Sequence, residues 1–103
     1  MIHVTTTCPD LDCARKLASA VVKARLAACA NVTPGVRSLF HWQGHVEEEE
    51  EVSLTLKTRV EHRAAVVEML EDQHPYDLPV ITWEGVGSTP DAEAWLWDET
   101  GGD

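Results

Sequence analysis

The stretch from Asn31 to Thr58 constrains the fold more than any other part of the chain. From Val52 onward, apolar and polar residues alternate as Val-Ser-Leu-Thr-Leu-Lys-Thr, the period of a strand with one buried and one exposed face. Upstream, Val36 to Trp42 is rich in β-branched and aromatic residues, and Gln43-Gly44 offers the positive φ that a tight reversal needs. The sequence therefore predicts two antiparallel strands of about a dozen residues each, joined at this turn.

Strands of this length extend past what a chain of 103 residues can cover. One arm carries the carboxylates of Glu47 to Glu51, a run that is more often a solvated face than a metal site. The other arm carries large apolar residues, which are Val36, Leu39, Phe40 and Trp42. A long exposed strand pair is tolerated when it is charged or paired with a partner chain. We therefore predict that the hairpin tip, with Phe40 and Trp42, is an interface between subunits.

Length and charge exclude several classes of protein. A chain of 103 residues predicts one domain, residues 1–103, and its 44% hydrophobic and 25% charged residues are typical of a soluble globular protein. No apolar run approaches the ~20 residues of a membrane span, and no basic leader precedes the first strand, so we expect a cytoplasmic protein without a membrane partner. The net charge is −10, and no Lys or Arg follows Arg63, which argues against a nucleic-acid partner.

The remaining patterns predict short elements around the hairpin. A capping box at Thr58 and Glu61 predicts the start of the second helix. Pro34-Gly35 predicts a bulge in the first arm of the hairpin. The side chains of Cys29 and Trp83 are expected in the core. The predicted elements are a strand at Ile2–Thr7, a helix at Leu11–Arg25, the hairpin, a helix from Thr58 to about Gln73, a strand at Val80–Trp83 and a helix at Asp91–Glu99. This order, β-α-β-β-α-β-α, predicts an α+β fold of the ferredoxin-like split βαβ type.

Several blocks spread over nearly the full length carry a resemblance to a known family. They are Arg25-Leu-Ala-Ala-Cys-Ala-Asn31, Gly35-Val-Arg-Ser-Leu-Phe-His-Trp-Gln-Gly44, Glu51-Val-Ser-Leu-Thr-Leu-Lys-Thr58, His74-Pro-Tyr-Asp77 with Pro79, and Trp95-Leu96. In these blocks the chain resembles the CutA divalent-cation-tolerance family. The resemblance implies a homotrimer of ferredoxin-like subunits whose long hairpins pair between chains. It also implies a cytoplasmic role in the tolerance of divalent metals, copper especially.

The chain departs from the family pattern at three positions. Phe40 stands where members commonly carry Tyr, Val80 stands where they carry Glu, and Thr6 stands where some members have a cysteine. In those members the resemblance implies a copper site made by that cysteine and the histidines before Pro-Tyr. Of this set the chain keeps His74.

Two cysteines offer another route to copper. Cys8 and Cys13 lie at the exit of the first strand and the start of the first helix, where a helix N-terminus favours thiolates and soft ligands suit Cu(I). The candidate metal ligands are therefore Cys8, Cys13 and His74, with copper as the metal and no required cofactor. The alternative is that both cysteines are ordinary structural residues.

A second candidate site takes a small anion. Lys57, His74 and Tyr76 lie in blocks that, by resemblance, line a cleft between subunits, and a lysine with a histidine and a tyrosine suits an anionic ligand. The alternative for His74 is that its imidazole only bonds the last carbonyls of the helix before it.

The sequence carries no signature of an enzyme. It contains no nucleophile elbow, phosphate-binding glycine loop, zinc-spaced ligand set or carboxylate dyad, so we expect a non-enzyme. Three functions are left. The first is a metal-tolerance trimer that binds copper weakly, the second is a PII-like regulatory trimer that binds a small anion, and the third is a structural or adaptor trimer without a ligand.

Overall fold

The structure is a computed structural model that describes residues 1–101. Its elements are β1 (Ile2–Cys8), α1 (Leu11–Lys23), β2 (Cys29–Trp42), β3 (His45–Thr58), a 3-10 turn (Val60–His62), α2 (Arg63–Gln73), β4 (Ile81–Gly85) and α3 (Pro90–Glu99). The four strands form one antiparallel sheet in the order β2-β3-β1-β4. The split βαβ fold predicted from the sequence is confirmed.

The core lies between the sheet and the helices α1 and α2. In β1 every second residue is buried, from Ile2 to Cys8, and in β3 the even positions Val52, Leu54 and Leu56 are buried opposite them. The helices contribute a buried stripe, which is Ala14, Leu17, Ala18, Val21, Val66 and Leu70. The apolar positions of the alternation that predicted a half-buried strand are therefore the positions of β3 that face the core.

Helix α1 is fixed by caps at both ends. The carboxylate of Asp10 accepts a hydrogen bond from the backbone N–H of Cys13 at 2.8 Å, as an N-cap does. At the other end Arg25 has φ 57°, and the N–H of Leu26 bonds the carbonyl of Val21, which is a Schellman motif. The helix therefore ends at Lys23 and not at Arg25 as predicted.

The hairpin is longer than predicted. Its arms have 14 residues each, and β2 begins at Cys29 because Cys29–Thr33 pairs with β3 in a continuous ladder. The turn residues Gln43 and Gly44 have φ 51° and 83°, as a two-residue hairpin turn requires. The predicted bulge at Pro34-Gly35 is confirmed by a register shift between Thr33 and Val36.

The predicted capping box at Thr58 is wrong. Thr58 is the buried last residue of β3, pairs with Ile2, and donates its hydroxyl to the carbonyl of Leu26. A 3-10 turn follows, and α2 begins at Arg63 without a side-chain cap. The pairing of β3 with β1 outweighs the local capping signal, because propensity is weaker than tertiary context.

Four further expectations are corrected. Strand β4 is Ile81–Gly85, shifted from the predicted Val80–Trp83, and the side chain of Trp83 is 48% exposed instead of lying in the core. Helix α3 begins one residue earlier than predicted, at Pro90, with Thr89 as its N-cap. Cys29 is partly exposed, because it pairs with Lys57 of β3 and therefore lies on the face of the sheet opposite the core.

Within residues 1–101, no helix has the length and apolar character needed to cross a membrane.

Candidate functional site

The chemistry-bearing side chains meet where the hairpin leaves the sheet. The last pair between β1 and β3 joins Cys8 to Val52, so Glu51 is the first residue of β3 without a β1 neighbour. The segment that follows α2 returns to this point and brings His74 and Tyr76. We call this region the junction site, and its residues are Thr6, Cys8, Cys13, Glu51, His74 and Tyr76.

The imidazole of His74 is held by hydrogen bonds on both nitrogens. Its Nδ1 accepts the backbone N–H of Tyr76 at 3.2 Å, and its Nε2 lies 3.0 Å from the carbonyl of Thr7 and 3.2 Å from the hydroxyl of Thr6. The Thr6 hydroxyl itself donates to the carbonyl of Val80 at 2.9 Å. An accepting Nδ1 assigns the proton to Nε2, which donates to Thr7 and Thr6. His74 is therefore a neutral, buried ring without a free nitrogen lone pair.

Tyr76 joins His74 to a buried carboxylate. Its phenol donates to Oε2 of Glu51 at 2.7 Å, and its ring centroid lies 4.9 Å from that of His74. Glu51 is only 6% exposed and forms no salt bridge within residues 1–101. Burial raises the pKa of Tyr76 above its ordinary range, and the hydrogen bond to Glu51 and the charge of Glu51 raise it further. The phenol therefore remains the donor in this bond.

Glu51 is the residue of the junction site that the sequence analysis missed. It belongs to a run of five glutamates whose other four members are exposed. Only its position next to Val52, where the packed part of β3 begins, distinguishes it in the sequence.

The thiols of Cys8 and Cys13 lie close enough for each to shift the pKa of the other. Cys8 is fully buried at the end of β1, and Cys13 is partly exposed in the first turn of α1. Burial raises the pKa of Cys8 to about 12, and the neighbouring Cys13, Glu51 and Asp10 add to the effect. Burial also raises the pKa of Cys13, while the nearby Cys8 lowers it. Both groups are therefore thiols at neutral pH.

The sequence-predicted metal ligands Cys8, Cys13 and His74 lie near one another, but they do not form a finished metal centre. The Thr7 carbonyl that His74 binds belongs to the residue before Cys8. Within residues 1–101 no group of three or more His, Cys, Asp or Glu side chains is placed to hold a metal ion. Of the three predicted ligands, only Cys8 and Cys13 keep a ligand atom, because both nitrogens of His74 are engaged.

The predicted anion-binding residues are only partly brought together in one subunit. His74 and Tyr76 touch, whereas Lys57 pairs with His3 and Cys29 in the sheet. Lys57 lies six residues along β3 from Glu51, the partner of Tyr76, which is about 20 Å in an extended strand. A single subunit therefore does not unite Lys57 with the other two.

The predicted interface residues lie in the outer hairpin. Phe40 is 39% exposed and Trp42 is 45% exposed, and Leu39 and Val46 beside them are more exposed still. Exposed apolar groups at this density are typical of interaction surfaces.

Comparison with known proteins identifies the family. A family model described as CutA1 divalent ion tolerance protein matches residues 2–99. The chain belongs to this family. The divalent-cation tolerance protein CutA of Pectobacterium atrosepticum is 39% identical over 96 residues, which cover 92% of this chain and 87% of that protein.

Solved structures of the CutA family have the same fold. The divalent cation tolerance protein of Thermus thermophilus superimposes with a TM-score of 0.92 at 36% identity, covering 98% of this chain and 100% of that one. The protein of Archaeoglobus fulgidus, described as a periplasmic divalent cation tolerance protein, gives a TM-score of 0.93 at 28% identity and covers 97% and 99% of the two chains. Membership in the CutA family supports a role in metal tolerance and does not point to a known class of enzyme.

Proposed function

We propose that this protein contributes to metal tolerance by binding copper weakly, as Cu(I), between the thiols of Cys8 and Cys13. The observation that carries the proposal is the closeness of these two thiols at the turn between β1 and α1. Thiolate sulfur is a ligand type that selects Cu(I). His74 is not a ligand in this proposal, because both of its nitrogens are engaged.

The affinity of such a site should be modest. Both thiols must lose their protons to bind a metal, and the buried Cys8 has a pKa of about 12. Thr6, which stands where some relatives carry a cysteine, supplies no sulfur and uses its hydroxyl to hold His74 and Val80. Copper binding therefore depends on two ligands only.

Competition with a chromophoric Cu(I) chelator tests this site. The parent protein should withdraw Cu(I) from the chelator, and Cys8→Ser and Cys13→Ser should each lose that ability. Cys29→Ser is the matched control, because Cys29 lies in β2 at the position of Lys57 and takes no part in the thiol pair. If Cys8→Ser competes as well as the parent and the control, the thiol site does not exist.

We infer that the protein is a homotrimer held partly by the outer hairpins. The support is the set of exposed apolar residues on both faces of the outer hairpin, Phe40 and Trp42 on one face and Leu39 and Val46 on the other, which no other element of the described chain covers. Sedimentation equilibrium at micromolar concentration measures the assembly directly, and a species of 11.4 kDa would overturn the inference.

A matched pair of variants locates the interface. Trp42→Glu should shift the protein toward smaller species, because a charge in an apolar contact surface is costly. Leu11→Glu is the control: Leu11 is 46% exposed, close to the 45% of Trp42, but lies at the start of α1. Trp83 is unsuitable as a control, because its side chain is also exposed and is therefore available for a contact between subunits. Equal effects of the two variants would remove the special role of the hairpin.

A second candidate ligand is a small anion at Lys57. The favouring observation is that Lys57 is partly buried and has no carboxylate partner among residues 1–101. A partly buried ammonium without a counterion is suited to a charge-assisted bond with a ligand. Such a site would make the protein a PII-like regulator, and anion titration of the Lys57→Met variant tests it. Failure of both ligands would leave the structural or adaptor role.

We also propose a cytoplasmic location and a binding role without catalysis. The support for the location is the set of three free thiols, since thiols stay reduced in the cytosol. Cell fractionation tests it. Recovery from the periplasm, as the description of the Archaeoglobus relative would suggest, would contradict the proposal.

A further inference from the structure

The thiol pair has a second chemical capacity that copper binding does not use. Cys8 and Cys13 are separated by four residues and joined by a turn that Asp10 fixes through its bond to the Cys13 N–H. This turn brings the last residue of β1 and the first turn of α1 together, and the two thiols lie close enough to affect each other's ionisation. A disulfide requires the sulfurs to approach to about 2.05 Å, and Cys13 has room to do so because its side chain is only partly enclosed.

One of the two thiols is also open to a small reagent. Beside Cys13 is a shallow pocket of about 310 Å³ whose other lining residues are Asp10, Asp12, Lys16, Leu17, Gln73 and Pro75. Cys8, in contrast, is 0% exposed. A reagent that enters the pocket therefore meets Cys13 first and Cys8 only through Cys13.

We propose that Cys8 and Cys13 form a reversible disulfide within one chain, made by exchange with a low-molecular-weight disulfide such as oxidised glutathione. The inference does not rest on copper binding, and it is measured without metal. If the proposed copper site exists, oxidation would consume both of its ligands, so that Cu(I) binding would be limited to the reduced protein.

The reaction consists of two balanced exchange steps. In the first, the thiolate of Cys13 attacks one sulfur of oxidised glutathione, the disulfide bond of glutathione breaks, and one glutathione leaves as a thiolate that takes up the proton lost by Cys13. In the second, the thiolate of Cys8 attacks the Cys13 sulfur of the mixed disulfide, and the second glutathione leaves and takes the proton of Cys8. Two protein thiols are oxidised and one glutathione disulfide is reduced to two thiols.

The sequence allows a direct assay of this bond. The metal-free parent protein is incubated with oxidised glutathione, quenched with an alkylating reagent and digested with trypsin. Cys8 and Cys13 then share the peptide of residues 1–15, while Cys29 lies in the peptide of residues 26–37. We expect peptide 1–15 to lose two hydrogen atoms and to resist alkylation until it is reduced with dithiothreitol. Peptide 26–37 reports how an isolated thiol of the same protein reacts.

Two variants test the order of the steps. Cys8→Ser should accumulate glutathione on Cys13, because the resolving thiol is gone. Cys13→Ser should leave Cys8 unmodified, because the buried thiol cannot reach the reagent. A mixed disulfide that forms at Cys8 in Cys13→Ser would overturn the assignment of Cys13 as the entry thiol.

The result for the parent protein decides the proposal itself. If both cysteines of peptide 1–15 are alkylated after incubation, or if glutathione stays on Cys13 in the parent, the intrachain disulfide does not form. Loss of Cu(I) binding in the copper experiment would not change this result, so failures of the two proposals are distinguishable.

Discussion

The two halves of β3 have the same backbone and opposite environments. Residues 52–58 pair with β1 on one side, residues 53–57 also pair with β2 on the other, and the even positions are buried. Residues 45–51 pair with β2 alone, and all of them except Glu51 are exposed. The strand is continuous across the boundary, so the difference comes from the number of neighbouring elements and not from secondary structure.

Hydrophobicity and burial do not coincide along β3. Val46 is apolar and 66% exposed in the outer half, whereas the charged Lys57 is partly buried in the packed half. Glu51 lies at the boundary and is buried although its four acidic neighbours are not. What an apolar residue contributes to the fold of one chain therefore depends on the half of β3 in which it lies.

The largest expected effect is in the packed half. Leu54→Ala removes a fully buried side chain at the centre of the sheet and should cost about 2–5 kcal/mol of unfolding free energy. Val46→Ala, in the outer half, should cost less, because it removes no packing within the chain and only the proposed contact between subunits. Chemical denaturation at one fixed protein concentration measures both, because assembly couples stability to concentration. Similar losses would show that the outer hairpin is as deeply buried in the assembled protein as the core.

The next effect is expected at the boundary. Tyr76→Phe removes the donor of the 2.7 Å bond to the buried carboxylate of Glu51, and a hydrogen bond to a charged group contributes roughly 1.5–3 kcal/mol. The variant Glu51→Gln and the double variant complete a cycle that isolates the pair. Additive losses would mean that Tyr76 and Glu51 do not interact in solution.

The same phenol gives a pH dependence whose sign follows from its pKa. Burial and the carboxylate of Glu51 raise the pKa of Tyr76 in the folded protein, so the unfolded chain loses this proton first, at about pH 10. The stabilisation is therefore complete below that pH and is lost as the pH rises toward the folded pKa. Tyr76 is the only tyrosine of the chain, so its ionisation can be followed by ultraviolet absorbance. In Tyr76→Phe this alkaline loss of stability should be smaller.

A smaller effect is expected at the bulge, where the two halves of the hairpin join. Gly35 has φ 81°, a conformation that costs an L-residue about 1–2 kcal/mol, so Gly35→Ala should destabilise by that amount. Gly87→Ala is the control, since neither glycine has an atom within 4 Å of an added Cβ and Gly87 lacks the positive φ. The control should be neutral or slightly stabilising. Equal melting temperatures for the two variants would contradict the role of the Gly35 backbone.

Local patterns in the sequence predicted the elements better than their boundaries. The alternation from Val52 and the Gln43-Gly44 turn are complete within a few residues, and both predictions were confirmed. The predicted start of the second helix was wrong because Thr58 pairs with β1, a strand that lies more than fifty residues earlier in the chain. A capping signal depends only on residues that are close in sequence, so it carries no information about that distant partner.

The candidate site was less predictable for the same reason. His74 and Tyr76 were identified from a short motif, but their partners Thr7 and Glu51 come from two other strands. The closeness of Cys8 and Cys13 could be anticipated, since both lie at one strand-to-helix turn. The burial of Glu51 could not, because it depends on where β1 ends and where the chain returns after α2.

The smallest expected change in stability is at Lys57, in the packed half but on the face opposite the core. Its neighbours Leu56 and Thr58 are fully buried, while Lys57 alternates with them and remains partly accessible. Its charge is therefore not required by the core, and Lys57→Met should change the unfolding free energy by no more than about 0.5 kcal/mol.

Ligand binding should respond more strongly to the same change. If Lys57 binds an anion, loss of one charge-assisted bond would cost roughly 1.5–3 kcal/mol, a tenfold or greater drop in affinity. Titration with phosphate, citrate and a nucleotide measures this, with Lys23→Met as the control because Lys23 is exposed at the end of α1. Unchanged anion affinity in Lys57→Met would remove the anion site. If the assembly instead dissociates in this variant, Lys57 is a structural residue. The face of the packed half of β3 that lies opposite the core would then contribute to the contact between subunits.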